Sequence, residues 1–256
     1  MRAEGHPKAG STSYSPSWGS KSLIIRTWGL GRPPEQADWR PLATMLTIDQ
    51  VLSEPIPALA DAIVVQSRDE QFVPFHFWSE WLRCAAESCE VHDKLLALAH
   101  ALQSHNVREV EGQCLWTDLP TLPWAIREAM DTLADVRKPT WFVSIHTFFA
   151  RCAADGLVDT AMWAAVLCRE LLEDDTVQQK DVYVAAVDAW IQHAGAVLYN
   201  DGQPHHTSSP ICRPGKLWSG PGGYSPERLD FWNKRLDELD AQDSSLDVPT
   251  NRFPHA

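Results

Sequence analysis

Residues 158–172 read VDTAMWAAVLCRELL, and this stretch does most to decide the fold. Apolar side chains fall on nearly every side of the helix that it would form: Met162, Trp163, Val166, Leu167 and Leu171. A helix that is apolar all round is covered by neighbouring elements on most sides. The stretch therefore predicts a central helix in an α-helical protein.

Neighbouring segments show the pattern of helices with one buried face, because apolar residues recur at steps of three and four. These stripes run over Leu95–Leu102, Leu122–Val136, Trp141–Cys152 and Val182–Leu198. No stretch alternates apolar and polar residues with a period of two, so we expect no substantial sheet. The sequence thus predicts an all-α fold, an irregular multi-helix bundle of antiparallel helix pairs.

Composition divides the chain into three parts. Residues 1–40 contain five Gly, four Pro and six Ser and predict a disordered N-terminal extension. Residues 41–240 predict a single helical domain, and residues 241–256 a frayed tail. A loop rich in Gly, Pro and Ser occupies 202–224, and Ser225-Pro226-Glu227 then signals the start of the last helix.

Charge and cysteine usage limit the partners and the compartment. The net charge of −12 argues against binding to nucleic acid or to an anionic membrane. No apolar run approaches the ~18 residues of a membrane span, and no secretory signal pattern opens the chain. The six cysteines have no paired spacing, which indicates free thiols. We therefore expect a location in the cytoplasm or the nucleus.

The second half of the chain carries four distinctive segments: Leu115–Pro120 leading to Arg127-Glu128, Phe148–Arg151 with Arg169–Glu173, Ala189–Gly195, and Leu217–Arg228 followed by Phe231-Trp232. The last contains the signature Leu-Trp-x-Gly-Pro-x-Gly-Tyr-Ser-x-Glu-Arg. Over roughly residues 115–236 the chain resembles an uncharacterised family of fungal helical proteins, a domain of unknown function. The resemblance implies an all-helical fold and a fungal source, and it implies no activity.

Five residues are candidates for a functional site. His193 follows Trp190 on the apolar stripe of its helix, where an imidazole can act as a catalytic acid or base. His146, Trp190, Trp218 and Arg228 are candidates for ligand binding. The alternatives remain open: the two histidines suit satisfied core positions, the tryptophans suit core packing, and Arg228 suits an ion pair.

Metal and cofactor motifs have little support. His92 and His100 are eight residues apart, and His205-His206 with Cys212 lie in the loop without an accompanying carboxylate pattern. We interpret Glu173-Asp174-Asp175 as a solvated helix exit, and Gly220–Gly223 lacks the Lys-Ser/Thr pair of a phosphate-binding loop. We expect no metal and no cofactor.

Three hypotheses of function follow. The first is a soluble helical interaction or small-molecule-binding protein, with the loop at 202–224 and Trp218 near the functional surface. Its partner would be another protein or a small hydrophobic molecule. The alternative is a cofactor-independent cyclase or isomerase acting on a hydrophobic metabolite in fungal biosynthesis, with His193 as acid or base. The third is a structural partner in a complex, which predicts a large exposed apolar patch.

Overall fold

The computed structural model describes residues 46–105, 109–110, 112–174, 176–243 and 245–254. The predicted disordered extension, residues 1–40, lies outside the described residues. All of the described residues belong to one compact unit.

The described residues form nine α-helices: α1 Ile48–Ser53, α2 Ile56–Gln66, α3 Pro74–Glu87, α4 His92–Gln103, α5 Leu122–Thr132, α6 Pro139–Ala154, α7 Ala161–Cys168, α8 Lys180–Tyr199 and α9 Pro226–Gln242. A 3-10 turn, Cys89–Val91, precedes α4, and a π-helical turn, Arg169–Glu173, continues α7. The strands β1 Glu109–Val110 and β2 Gln113–Cys114 pair antiparallel as a minimal hairpin. The prediction of an all-α fold is therefore confirmed.

Local signals in the sequence set several helix starts. Pro74, Pro139 and Pro226 stand at first helical positions, where the missing amide hydrogen has no helical partner to lose. Ser225 caps α9, because its hydroxyl accepts a hydrogen bond from the amide of Arg228 at 3.3 Å. The predicted start of the last helix is thus confirmed.

The central segment departs from the predicted helix over 158–172. The observed helix, α7, begins only at Ala161, so Asp159 and Thr160 lie outside it. The Asp159 side chain instead accepts a hydrogen bond from the amide of Ala161. At the other end the backbone changes from α to π geometry, since the amide of Asp174 bonds the carbonyl of Arg169, five residues back, at 2.8 Å. The segment is largely buried, as its composition predicts.

Aromatic side chains fill much of the core. α6 makes its most extensive contact with α8, while α3 packs against both α5 and α6. Five of the nine tryptophans in the described part of the chain are almost fully buried: Trp78, Trp81, Trp116, Trp190 and Trp232. Trp78 meets the rings of Trp81 and Trp116 edge to face at 5.3 and 5.9 Å. Such pairs contribute about 0.5–1.5 kcal/mol beyond the area that they bury.

One polar node joins three helices inside this core. His92, at the start of α4, places its Nε2 atom 2.9 Å from the carbonyl oxygen of Ala85 in α3, and Ser144 of α6 donates to the same oxygen at 2.6 Å. Because Nε2 faces an acceptor, it carries the proton. The Nδ1 atom is buried without a hydrogen-bond partner among the described residues. Burial lowers the pKa of His92 to about 4, so the ring is neutral in the folded protein.

The chain returns to the core over residues 246–254, which corrects the prediction of a frayed tail for that part of 241–256; residues 244, 255 and 256 lie outside the described residues. Phe253 is fully buried and its ring lies 5.7 Å from that of Trp232. Asn233 of α9 holds the backbone of Phe253 with two hydrogen bonds, one to its amide and one to its carbonyl, at 2.9 and 3.0 Å. The sequence around Phe253 is polar, so only the tertiary contact reveals that this segment is anchored.

Replacing Phe253 with alanine tests this anchoring. We expect F253A to lower the free energy of unfolding by about 3–5 kcal/mol, because it removes a fully buried ring and leaves a cavity beside Trp232. Urea unfolding followed by tryptophan fluorescence measures the change. The matched control is L217A, at a half-exposed leucine, which should change stability by no more than about 0.5 kcal/mol. Equal effects of the two variants would show that the tail is not part of the core.

Acidification tests the polar node. The pKa of His92 in the folded protein lies below the ordinary histidine value of 6.5, because the ring is buried. The unfolded chain therefore binds a proton between about pH 6.5 and 4 that the folded protein excludes, and stability falls as the pH drops through this window. The contribution is at most about 1.4 kcal/mol per pH unit.

We expect H92Q to make the fall in stability between pH 6.5 and 4.5 shallower, measured by urea unfolding at stepped pH. H100Q is the control. Asp155 raises the pKa of His100, so that side chain alters the slope only above pH 6.5 and its loss leaves the slope below unchanged. A wild-type slope in H92Q would exclude His92 as the group responsible.

Candidate functional site

Arg228 lies in the first turn of α9 and is fully buried. Nε and Nη2 donate to the two carboxylate oxygens of Glu173 at 2.7 and 3.0 Å. Nη1 donates to the carbonyls of Cys212 and Gly223 at 2.8 and 2.7 Å, and Nη2 also donates to that of Arg213 at 3.1 Å. These bonds use all five N–H groups of the guanidinium.

Glu173 is equally buried and receives four hydrogen bonds. Besides the two from Arg228, its Oε1 accepts from the indole N–H of Trp232 at 2.7 Å and its Oε2 accepts from the amide of Gly215 at 2.5 Å. A buried carboxylate needs such saturation, because transferring it from water without partners is strongly unfavourable. The π turn positions this side chain, since Glu173 is its last residue. The interpretation of Glu173 as part of a solvated helix exit is therefore wrong.

The loop between α8 and α9 is bound closely to this pair. A Cβ atom on Gly215 would lie 2.6 Å from Cβ of Glu173, so only glycine lets the backbone come this near. Gly223 has φ +78°, and a Cβ atom there would lie 2.4 Å from the carbonyl oxygen of His205. Together with the carbonyls that bond Arg228, these contacts show that the signature segment encloses a buried charge.

Arg228 is a sequence candidate for ligand binding or for an ion pair, and the geometry favours the ion pair. The guanidinium has no exposed surface, and each of its five donors already has an acceptor within the protein. The Cζ atom of the guanidinium also lies 5.0 Å from the ring centre of Trp232, so the indole covers one face of the guanidinium. Arg228 thus stabilises the fold and has no free donor for an anion.

His146 and Trp190 are brought together, but inside the core. The indole N–H of Trp190 donates to Nδ1 of His146 at 3.3 Å, and His146 is 2% exposed. Burial lowers the pKa of His146 to about 3, so the imidazole is neutral and accepts this bond. Neither residue lines the cleft described below. Their geometry is that of a satisfied core pair between α6 and α8.

His193 lies on the exposed side of α8, not on its buried stripe. The buried face follows Ala186, Trp190, Ala194 and Leu198, spaced by four residues. A step of three from Trp190 leads to the edge of that face, where His193 meets solvent. Burial of part of the ring, together with the charge of Arg151, lowers its pKa. The predicted placement of this candidate acid or base on the apolar stripe was wrong.

Trp218 folds back over its own loop. Its indole N–H donates to the carbonyl of Pro221 at 2.9 Å, and its ring centre lies 5.3 Å from that of Phe231 in α9. The side chain is half-buried and lies tightly against Gly220. Trp218 therefore braces the turn that leads to the signature segment, and it does not line the cleft.

A surface cleft of about 280 Å³ lies where the ends of α6 and α8 meet the loop that follows α8. Its lining includes Ala153, Val158, Asp159, Val197, Asn200 and His206. The apolar members form much of the wall, and the polar members converge on it. This combination of apolar surface and few polar groups is characteristic of small-molecule sites.

The polar groups of the cleft are held in place by the protein. Nε2 of His206 lies 3.4 Å from Oδ2 of Asp159. The neighbouring His205 donates from Nε2 to the carbonyl of Leu198 at 2.9 Å and stacks on Tyr224 with 4.8 Å between ring centres. Burial lowers the pKa of His205, which favours its neutral form.

Backbone conformation is unusual along the same wall. Asn200, Asp201 and His206 have φ values of 45°, 51° and 53°. Left-handed residues other than glycine are uncommon, and Asn, Asp and His are the types that adopt this conformation most readily. Two of the three, Asn200 and His206, line the cleft. Such conformations tend to gather at functional sites.

Tyr224 connects the cleft to the buried ion pair. Its hydroxyl donates to the carbonyl of Ala161, a cleft residue, at 2.6 Å, and its backbone pairs with that of His205. Its ring meets Trp232, the donor to Glu173, edge to face at 5.8 Å. The wall of the cleft therefore rests on the network around Glu173.

Sequence reasoning missed the cleft as a site. His205 and His206 were noted only as weak metal ligands with Cys212, which the structure buries. The described residues contain no group of three or more metal-ligating side chains. Two signals were present: Asp159 stands two residues before a helix, and Asn200-Asp201-Gly202 contains types that favour left-handed turns. Neither signal indicates that the two segments meet.

The class that this fold defines is an all-α protein whose signature loop encloses a buried Arg–Glu pair. The chain belongs to the family described as "Protein of unknown function (DUF3632)", which matches residues 78–236. That range includes Glu173, Arg228 and every residue that lines the cleft. The predicted resemblance to a domain of unknown function is thus confirmed, and its fungal source stays a prediction. No curated protein and no solved structure matches the chain.

The buried pair can be tested by substitution. We expect R228M to lower the free energy of unfolding by roughly 3–5 kcal/mol, because it leaves the Glu173 carboxylate buried without its charged partner. R228K keeps the charge but offers three donors in place of five, so its effect should be smaller. The control R137M removes an exposed arginine paired with Asp135 and should leave stability unchanged. Urea unfolding measures all three, and a neutral R228M would contradict the role assigned to the pair.

Proposed function

We propose that this is a small-molecule-binding protein and that its ligand occupies the cleft between the ends of α6 and α8. The observation that carries the proposal is the cleft itself, in which an apolar wall meets Asp159, Asn200 and His206. Its volume of about 280 Å³ lies just below the range of about 300–1,000 Å³ that is usual for ligand pockets. A compact ligand with an apolar body therefore fits best.

A second argument is pre-organisation. The residues that follow α8 are held by Tyr224 and the buried pair, so the cleft wall is already shaped before a ligand arrives. Sites that are formed in advance lose less conformational entropy on binding. The buried Arg228–Glu173 pair has no free donor for a ligand, so it supports the shape of the cleft. The residues that line the cleft supply the contacts with the ligand.

The rival hypothesis of a cofactor-independent cyclase or isomerase depended on His193 as acid or base. His193 is exposed on α8 and does not line the cleft. Binding without turnover is therefore the better-supported proposal.

We also propose a location in the cytoplasm or the nucleus. All six cysteines are free, and four of them are buried. Free thiols suit a reducing compartment. None of the helices in the described part of the chain has the length and apolar character needed to cross a membrane.

A fragment screen by protein-observed NMR tests the proposed binding site on the full chain. Fragments with a small apolar body should shift the resonances of Asp159, Val197, Asn200 and His206. V197W places a large ring at the mouth of the cleft and should weaken binding at least about tenfold, or 1.4 kcal/mol.

The matched control is V65W, at an exposed valine of α2 that is not a cleft residue. It should leave fragment affinity unchanged. Shifts that concentrate outside the cleft, or equal affinities in V197W and the wild type, would contradict the proposed site.

A further inference from the structure

The charge around the cleft identifies the class of ligand that it suits. Two helices end there: α6 at Ala154 and α8 at Tyr199, and residues next to both ends line the cleft. The carboxyl end of a helix carries about half a negative charge, because its last carbonyls lack helical partners. The amides of Gly156 and Leu157 donate to the carbonyls of Ala153 and Cys152, and His205 donates to that of Leu198, so these local bonds satisfy part of the two ends. The dipole charge that remains favours a cation over an anion.

Asp159 adds a full negative charge at the same place. Its Oδ1 accepts from the amide of Ala161, the first residue of α7, at 3.1 Å, which fixes the side chain. Its Oδ2 lies 3.4 Å from His206, and the side chain is 60% exposed. This distance is longer than a typical charge-assisted hydrogen bond, so Oδ2 remains able to accept one from a ligand.

Positive charge that would oppose a cation is scarce. The residues that line the cleft include no lysine and no arginine. The start of α7 is the one helix amino end among them, and its first amide, that of Ala161, already donates to Asp159. His205 is buried in part and favours its neutral form. His206 lies 3.4 Å from Oδ2 of Asp159, and a ligand ammonium group would compete with it for that oxygen.

Apolar contacts define the rest of the ligand. Val158, Val197, Ala153 and Ala161 offer short aliphatic surfaces within a volume of about 280 Å³. These surfaces match a short, branched hydrocarbon chain and leave little room for a large ring system. The net charge of −12 further favours the approach of a cation over that of an anion.

We propose, resting on the binding function proposed above, that the cleft takes a small organic ammonium ion with a short aliphatic body. The ammonium group bonds the Asp159 carboxylate and faces the carboxyl ends of α6 and α8. The aliphatic body lies against Val158 and Val197.

Three compounds of matched shape test this inference with the full chain: isopentylamine, 3-methylbutanol and 3-methylbutanoate, titrated at pH 7.5 and followed by NMR. The amine is a cation under these conditions, the alcohol is neutral and the carboxylate is an anion. We expect the amine to bind at least about tenfold more tightly than the alcohol, and the carboxylate to bind most weakly.

D159N separates the charge from the shape of the site. Asparagine keeps an Oδ1 atom that can accept from the amide of Ala161, so the start of α7 should persist. The variant should lose at least about fivefold in affinity for the amine and keep its affinity for the alcohol, which also shows that the cleft is intact. The control D201N removes an exposed carboxylate from the adjoining turn, outside the cleft lining, and should have a smaller effect on the amine.

Equal or tighter binding of the alcohol or the carboxylate at the cleft residues would overturn the cation inference and leave the proposed binding function standing. An amine preference that D159N does not reduce would also overturn it. If none of the three compounds shifts the cleft resonances, the cation inference fails, and the fragment screen decides separately whether the cleft binds small molecules at all.

Discussion

The structure depends on a charge that has been taken out of water. Arg228 and Glu173 lie 55 residues apart in the chain, and neither has exposed side-chain surface. A buried ion pair is tolerated only when its remaining hydrogen-bonding groups are satisfied. Here the π turn, the loop carbonyls and Trp232 complete that set, so the positions of α7, α9 and the intervening loop are fixed by one requirement. Tyr224 links the cleft to this network, because its hydroxyl donates to Ala161 of the cleft and its ring packs against Trp232.

Much of the fold could be predicted from the sequence, because helix formation leaves local marks. The stripe at Trp141–Cys152 becomes the buried face of α6, and Ser225-Pro226 starts α9 as its capping chemistry requires. The segment around Phe253 carries no local sequence pattern that would predict its burial. It is anchored by hydrogen bonds from Asn233 and by contact with Trp232, which are tertiary interactions that no local pattern encodes. Periodicity predicts which face is buried, and it does not predict which distant segment covers that face.

The candidate site was less predictable, for two physical reasons. A charged residue in an apolar helix indicates a buried partner or a ligand, and Arg228 proved to have the partner. That partner, Glu173, stood in an acidic triplet that resembled a solvated exit, since the change to π geometry is invisible in the pattern of side chains. The cleft residues Asp159, Val197 and His206 come from three separate segments. Each is ordinary where it stands, and only the folded chain makes them neighbours.

The π turn also places a physical constraint on the number of residues between α7 and Glu173. Successive residues of an α-helix are separated by about 100° around its axis. If one residue were lost between Ala161 and Glu173, the carboxylate would swing by roughly that angle and leave the guanidinium without a counter-charge. A gain of one residue would do the same in the opposite sense. The number of residues in this segment is therefore constrained independently of their identity, because that number sets the direction in which the Glu173 side chain points.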